Sequence, residues 1–99
     1  MMLKIHKLVQ AEDDLAEIWR YSFETWGEAQ ADRYYDALVQ GIDLLAKNPD
    51  IGATCDDIRE GYRRFKIERH VIFYKITSEI LTIVRVLHER MDIEQYIEE

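Results

Sequence analysis

The chain has 99 residues, 47% of them hydrophobic and 11% aromatic, which suits the core of one small globular domain but not of two. Its formal net charge of −7 argues against a protein whose main task is to bind nucleic acid through counterion release. No apolar run approaches the roughly 18 residues that cross a bilayer, and the N-terminus shows no signal peptide, so we expect a cytoplasmic protein with no membrane contact.

The first predicted elements are a short strand and a helix. Residues 3–9 alternate loosely between apolar and polar side chains, as a strand does. The period then lengthens to that of an α-helix, and acidic residues at positions 12–14 and 17 suit its first turns, where the helix dipole favours negative charge. We expect Gly27 to end this helix, whose inward stripe consists of Leu15, Ile18, Trp19, Ser22 and Trp26.

A second helix is predicted over residues 28–47, and Asn48 and Pro49 would stop it. Because a single glycine separates the two helices, we expect them to form an antiparallel hairpin. The second helix carries one stripe of Ala31, Tyr34, Tyr35, Leu38, Ile42 and Leu45. Core packing is the ordinary explanation of aromatic residues in such stripes, and it applies first to Trp19, Trp26, Tyr34 and Tyr35.

Three strands are predicted after a loop of about a dozen residues. Residues 62–68 alternate, with Phe65 and Ile67 on one side. Residues 69–76 and 80–88 are rich in Ile, Val, Phe and Tyr. With a two-residue turn between these last two strands, one face would carry His70, Ile72, Tyr74, Leu81, Ile83, Arg85 and Leu87, and the other Val71, Phe73, Val84 and Val86.

Both faces of the last two strands are largely apolar, so we expect these strands to be central in the sheet and covered on each side. The helical hairpin can cover only one face. A short C-terminal helix from Asp92 would add Ile93, Tyr96 and Ile97, but it is too short to cover a sheet alone. The sequence therefore predicts one α+β domain over residues 1–99, with a helical hairpin packed on a small, mainly antiparallel sheet and apolar surface left for a partner.

The chain offers few groups for metal or cofactor chemistry. His6, His70 and His88 are far apart and show no metal-binding spacing, so we predict no metal site. No cofactor is indicated, because there is no Gly-rich phosphate loop. The single cysteine, Cys55, is interpreted as an inert loop residue. Positive charge is concentrated in residues 58–90, which hold 8 Lys and Arg against 4 Asp and Glu.

Ribonuclease chemistry is one interpretation of that basic segment, since it needs a general base, a general acid and a cation on the phosphate. These groups could come from His88 or His70, Tyr74 or Glu68, and Arg85. The alternative is structural. His88 would then bond the backbone or water at a strand end, and Arg85 would pair with a carboxylate. On the residues alone the structural interpretation is favoured.

Five segments stand out in their order and spacing: AEDDLAEIWRY, WGEAQADRYYDAL, NPDIG, IREGYRRFKIERHVIFYKI and IVRVLHERMD. They resemble the ParE toxins of type II toxin–antitoxin systems, within the larger ParE/RelE toxin superfamily, over about residues 3–92. The resemblance implies the same α+β fold and a partner, an antitoxin of the ParD type that wraps the toxin in a hetero-oligomer. Residues expected to line the antitoxin groove are Trp19, Tyr34, Tyr35, Tyr74 and Ile83.

The resemblance also implies a target. Toxins of this kind poison DNA gyrase by stabilising the cleaved gyrase–DNA complex and cut nothing themselves. The acidic charge of this chain argues against direct nucleic-acid binding by the toxin alone. The alternative is the RelE branch, which cleaves mRNA on the ribosome and for which Arg85 and His88 would be the catalytic residues. A third hypothesis is an inactive toxin that only binds its antitoxin.

Contacts with the antitoxin or the target are expected on two segments that match the family. The basic strand after the loop supplies Arg63, Arg64 and Lys66. The ending Arg-x-Leu-His-x-x-Met-Asp supplies Arg85, His88, Arg90, Met91 and Asp92. His70, Phe73 and Tyr74 match the family's His-Val-Ile-Phe-Tyr segment, for which a structural role is favoured.

Overall fold

The structure, a computed structural model, describes residues 2–97 as two helices on a five-stranded sheet. The sheet order is β1-β5-β4-β3-β2, with β1 parallel to β5 and the other pairs antiparallel. The predicted α+β class and the helical hairpin are therefore confirmed. In chain order the elements are β1 (Lys4–Lys7), α1 (Val9–Trp26), α2 (Glu28–Lys47), β2 (Ala53–Thr54), β3 (Tyr62–Ile67), β4 (His70–Thr77) and β5 (Ile80–His88).

The two helices meet at Gly27, as the sequence predicts. Its φ of 95° lies in the left-handed region, which glycine adopts without a Cβ penalty. Its N–H donates to the carbonyl of Phe23 (2.9 Å) and its carbonyl accepts from the N–H of Ala31 (3.1 Å). One residue therefore closes α1 and begins α2, and the hairpin needs no connecting loop.

The hairpin packs on one face of the sheet and forms the main core there. Tyr74 lies in this core with no exposed surface. Its hydroxyl donates to the carbonyl of Pro49 (2.8 Å) and accepts from the N–H of Gly52 (3.1 Å), so its burial leaves no unpaired polar group. Other fully buried side chains of this core are Leu38, Ile42, Leu45, Ile72, Leu81 and Ile83.

The register between β4 and β5 contains a shift that the sequence did not predict. The turn has the predicted two residues, and Tyr74 pairs with Ile83 as a regular hairpin requires. Phe73, however, pairs with Arg85, so Val84 is an extra residue in a β-bulge. An extra residue reverses the sheet face of every residue beyond it.

The predicted faces at the end of β5 were therefore wrong. Val86 packs into the main core beneath the helices, whereas Leu87 packs on the far face, which points away from the helices. Arg85 and Leu87 do not share a face with His70. Instead, His88 is the residue paired with His70 across the two strands.

The far face is covered by the chain itself. Side chains of the loop after α2 and of the C-terminal tail pack on it, and Ile97, the last described residue, is only 4% exposed. The prediction that this apolar surface stays open for a partner was wrong here, because the loop and the tail cover it together. The cluster consists of Cys55, Tyr62, Phe73, Val84, Leu87 and Ile97, with Ile58, Ile93 and Tyr96 packed against it.

The predicted short C-terminal helix is a single 3-10 turn over Ile93–Gln95. The Asp92 side chain caps this turn by accepting from the N–H of Glu94 (3.1 Å). Farther along, the guanidinium of Arg59 donates to the carbonyl of Ile97 (3.5 Å). Packing and hydrogen bonds to its carbonyls hold the tail in place.

Candidate functional site

A groove with a volume of about 730 Å³ lies between the tip of the helical hairpin and the adjoining ends of β4 and β5. The bulge in β5 shapes it, because the bulge turns Val86 toward the helices and sets His88 beside His70. We call it the hairpin groove. Its lining includes Trp26, Tyr34, His70, Val86, His88 and Met91.

Two aromatic side chains form the exposed rim of the hairpin groove. Tyr21 is 62% exposed and Trp26 is 60% exposed, and their rings meet edge to face at 6.0 Å. Exposed aromatic side chains of this size are typical of protein-binding surfaces, where they bury much area at low entropic cost. The prediction that Trp26 belongs to the inward stripe was wrong, since Trp26 is the last residue of α1 and lies mostly in solvent.

The floor of the hairpin groove is a pair of histidines. His70 and His88 are paired across the two strands, and their rings stand edge to face with centroids 5.4 Å apart. The Nδ1 atom of His70 lies 2.6 Å from the hydroxyl oxygen of Tyr34. That oxygen accepts from the N–H of Arg69 (3.2 Å) and lies 3.4 Å from the carbonyl oxygen of Ile67. The Nδ1 atom of His88 accepts from the N–H of Arg90 (3.2 Å). The backbone and Tyr34 thus hold both imidazoles in place.

Burial sets the protonation of this floor. Loss of solvation, followed by the nearby His88, lowers the pKa of His70 to about 4, so this imidazole is neutral at physiological pH. Burial raises the pKa of Tyr34, so its hydroxyl keeps the proton that it donates. The floor is therefore polar but uncharged at His70, beneath an apolar and aromatic rim.

Arg85 is held inside the fold. Its Nε and Nη2 atoms each donate to a different carboxylate oxygen of Asp14 at 2.8 Å, and Nη1 donates to the carbonyl of Tyr96 at 2.6 Å. The same carboxylate accepts from the N–H of Val86 (3.0 Å). This Arg85–Asp14 clamp ties α1, β5 and the tail together, as the structural interpretation of Arg85 predicted. Contact with a target or with RNA would require the clamp to open.

The three basic residues predicted on the strand after the loop separate to different sides. Arg63 donates to the carbonyl of Gly52 (2.6 Å) and so supports the loop. Arg64 and Lys66 line a second, smaller groove of about 460 Å³ on the far side, where Lys66 pairs with Glu89 (2.6 Å). Arg64 and Lys66 therefore remain candidates for contact with the antitoxin or the target.

The residues predicted after β5 also divide. His88 and Met91 line both the hairpin groove and the second groove, so the two grooves adjoin at the end of β5. Arg90 is exposed and Asp92 caps the turn of the tail. The structure thus brings His88 and Met91 into the candidate site and leaves Arg90 and Asp92 outside its lining.

The predicted groove residues are mostly placed differently from the prediction. Tyr74 and Ile83 have no exposed surface, so their assignment to an open groove was wrong. Tyr35 is partly buried against the main core. Trp19 lies outside the lining of the hairpin groove, where its indole N–H donates to Asp32 of α2 (2.9 Å). Of this set, Tyr34 alone lines the hairpin groove.

Three further observations limit what the described part of the chain can do. Within residues 2–97 there is no group of three or more His, Cys, Asp and Glu side chains placed to hold a metal ion. In the same range no helix combines the length and the apolar character that crossing a membrane requires. Burial raises the pKa of the Cys55 thiol, which disfavours its reactive thiolate form.

The sequence is similar to that of a family of known toxins. The family model described as "ParE toxin of type II toxin-antitoxin system, parDE" matches residues 6–93. Over 86 residues the chain is 44% identical to Toxin ParE1 of Mycobacterium tuberculosis. That match covers 86% of this chain and 88% of the relative.

Two solved structures are similar in fold. A chain of the chromosomal ParDE TA system from P. aeruginosa has a TM-score of 0.77 at 18% identity, covering 88% of this chain and 96% of that one. A chain of the toxin-antitoxin complex RelBE2 from Mycobacterium tuberculosis has a TM-score of 0.68 at 19% identity, covering 89% and 99%. At these identities the likeness establishes the fold alone.

Proposed function

The chain belongs to the ParE toxin family of type II toxin–antitoxin systems, and we propose that it poisons DNA gyrase in the cytoplasm while a ParD-like antitoxin holds it silent. In this mechanism the toxin stabilises the complex in which gyrase has cleaved DNA. The observation that carries the proposal is the family match over residues 6–93, which includes the whole ending from Arg85 to Asp92.

The basic side chains that RNA cleavage would need are engaged in contacts within the fold, which favours action by binding. Arg85, the cation that phosphate chemistry would need, already uses three of its nitrogen atoms in bonds to Asp14 and Tyr96. The neutral His70 is half-buried beside Tyr34, where a hydrogen bond between the two side chains fixes its ring. Exposed aromatic residues at the hairpin tip are suited to contact with another protein.

An antitoxin partner is supported by the fold neighbours and by the groove. Both solved structures are named as toxin–antitoxin systems or complexes. The hairpin groove has the aromatic rim and polar floor that suit a segment of a second polypeptide, as in other helix-in-groove and peptide complexes. We therefore propose a hetero-oligomer in which the antitoxin occupies this groove.

The test is a gyrase assay with the purified toxin. At micromolar concentration the toxin should inhibit supercoiling and increase the amount of cleaved plasmid, and addition of the antitoxin from the adjoining reading frame should reverse both effects. Toxin saturated with antitoxin beforehand is the control. Unchanged supercoiling and no cleaved DNA at these concentrations would contradict the proposed target.

Ribosome-dependent mRNA cleavage is the second candidate, and the grouping of Tyr34, His70 and His88 favours it over other enzymes. Primer extension on translated message should then show cuts that are lost in His88→Ala. Arg85→Ala is a poorer probe, because it would also break the Arg85–Asp14 clamp. Normal growth of cells that express the chain alone would instead indicate the third hypothesis, an inactive toxin that only binds its antitoxin.

A further inference from the structure

The histidine pair on the floor of the hairpin groove has hydrogen-bonding capacity that the fold does not use. The Tyr34 hydroxyl has two acceptors in reach, Nδ1 of His70 at 2.6 Å and the carbonyl of Ile67 at 3.4 Å. We assign its proton to the much shorter contact, so the neutral His70 accepts at Nδ1 and carries its own proton on Nε2. His88 accepts the N–H of Arg90 at Nδ1, which places its proton on Nε2 as well. The two Nε2–H groups are therefore donors.

Neither donor has an acceptor within residues 2–97. In that range no buried side-chain nitrogen or oxygen atom lacks a hydrogen-bond partner. His70 lines the hairpin groove and His88 lies where that groove adjoins the second groove, so the two unpartnered N–H groups are open to solvent at this place. A ligand that supplies acceptors can reach them without a change in the fold.

One cation in the lining of the hairpin groove has no anionic partner in the described part of the chain. The acidic residues of the groove are already paired: Asp14 with Arg85, Glu17 with Arg20, and Glu68 with Arg33. Arg69 lines the same groove and forms no ion pair with any residue of the described part of the chain. One unpaired guanidinium and two N–H donors are the complement of a carboxylate.

A metal ion fits this site poorly. Each imidazole would have to offer a lone pair on Nε2, where the hydrogen bonds of His70 and His88 place a proton instead. A free anion would fill only the floor, while the rim presents Tyr21, Trp26 and Met91 as exposed apolar surface. The groove therefore suits a chain that carries apolar side chains on either side of its acidic group.

We propose that the histidine pair binds an Asp or Glu side chain of the antitoxin, whose neighbouring apolar residues pack on Tyr21, Trp26 and Met91. This inference rests on the proposed function, since the occupant is the antitoxin. It adds the chemical identity of the residue at the centre of the interface and names His70 and His88 as the residues that select it.

The experiment uses the full toxin chain and the full-length antitoxin encoded beside it. Asparagine at position 88 keeps an acceptor near the place of Nδ1 but has nothing at Nε2, whereas glutamine puts an amide donor near Nε2. His88→Asn should therefore weaken the complex about tenfold or more, and His88→Gln should retain its affinity to within about threefold. His70→Asn and His70→Gln repeat the comparison, and His6→Asn, on the exposed edge strand β1, is the matched control.

A double-mutant cycle then identifies the acidic group. Each Asp and Glu in the C-terminal half of the antitoxin is changed to Asn or Gln and measured against toxin and His88→Asn toxin. One of these changes should lose about tenfold with the native toxin and nothing further with His88→Asn. Thermal unfolding of each toxin variant checks that its fold is retained.

The outcomes separate this proposal from the one on which it rests. If native toxin and antitoxin form no complex, the proposed function fails. If they bind normally but no carboxylate couples to either histidine, this inference alone is overturned. Titration of the free toxin with acetate and with inorganic phosphate, followed by the imidazole ¹⁵N shifts, tests for a small anion. Tight binding of either, with no coupled antitoxin carboxylate, would also overturn it.

Discussion

The two faces of the sheet are similarly apolar, but they are covered in different ways. On the helical side, α1 and α2 cover the main core and leave the hairpin groove open at their tip. On the far face, the tail and the loop after α2 cover a second core, and the Arg85–Asp14 clamp holds the tail there. A sequence can therefore indicate that a sheet face is apolar and must be covered, but it does not indicate which segment or partner covers it.

Because the two faces are covered differently, a substitution on one should change the stability of the toxin, and a substitution at the groove on the other should change its affinity for a partner. Side chains of the clamp and the far face are buried, so their loss leaves a cavity or an unpaired charge and lowers the stability of the toxin itself. Side chains on the rim of the hairpin groove are exposed in the free toxin, so their loss should lower affinity for a partner at constant stability. Substitutions in the two regions should separate these effects.

The largest effect is expected from Arg85→Ala. It removes the partner of the nearly buried Asp14 carboxylate and releases the tail, so the free energy of unfolding should fall by about 3 kcal/mol. Urea denaturation followed by circular dichroism measures this. The matched control is Arg20→Ala, whose exposed pair with Glu17 should contribute less than about 1 kcal/mol. Equal losses for the two variants would show that the clamp does not hold the fold.

Ile97→Ala should have the next largest effect. It shortens a side chain that fills the far-face core, and we expect a loss of about 2 kcal/mol in the free energy of unfolding. Binding of a hydrophobic dye to the folded protein should rise, because the tail would cover the far face less completely. Ile80→Ala, at a position that is 41% exposed, is the control. If both variants behave like the native chain, the tail does not cover this face in solution.

Trp26→Ala should change binding and spare stability. The indole lies mostly in solvent in the free toxin, so unfolding should shift by no more than about 0.5 kcal/mol. Affinity for the antitoxin should fall by about 2 kcal/mol, measured by isothermal titration calorimetry. Val9→Ala removes a side chain that is 73% exposed and lies outside the hairpin groove, and its affinity should stay native. A native affinity for Trp26→Ala would remove the rim from the interface.

Local signals allowed most of the fold to be predicted. Gly27 and the Asn48–Pro49 pair mark the ends of α1 and α2 because their effects on the backbone are confined to neighbouring residues. The strands follow from their alternation. The bulge at Val84 has no such signal, since valine is an ordinary strand residue, and it changed the predicted face of Val86.

The candidate site was harder to predict because its contacts join distant parts of the chain. Asp14 and Arg85 are 71 residues apart, so the sequence could suggest a carboxylate partner for the arginine but could not identify it. The sequence predicts Tyr34 as a groove residue but does not indicate the hydrogen bond between its hydroxyl and His70. The sequence predicts His88 as a contact residue and the structure places it in the lining of the hairpin groove, but its pairing with His70 depends on the unpredicted bulge.

The smallest expected effect is on the pH dependence of stability, and it tests whether His70 on the groove floor is shielded from solvent. The folded pKa of His70, about 4, is below the ordinary value of 6.5 because burial and His88 outweigh the opposite influence of Asp14 and Glu89.

As the pH falls below about 6.5, the unfolded chain therefore binds a proton at His70 before the folded chain does. The stability that His70 contributes above pH 6.5 is lost between about pH 6.5 and pH 4. Replacing it by glutamine should make the loss of stability between pH 7 and pH 5 smaller than in the native chain, measured by urea denaturation at both pH values. His6→Gln controls for removing a histidine elsewhere. If the native chain and His70→Gln lose stability equally over this interval, His70 is already solvated in the folded protein, and the floor of the hairpin groove is as exposed to solvent as its rim.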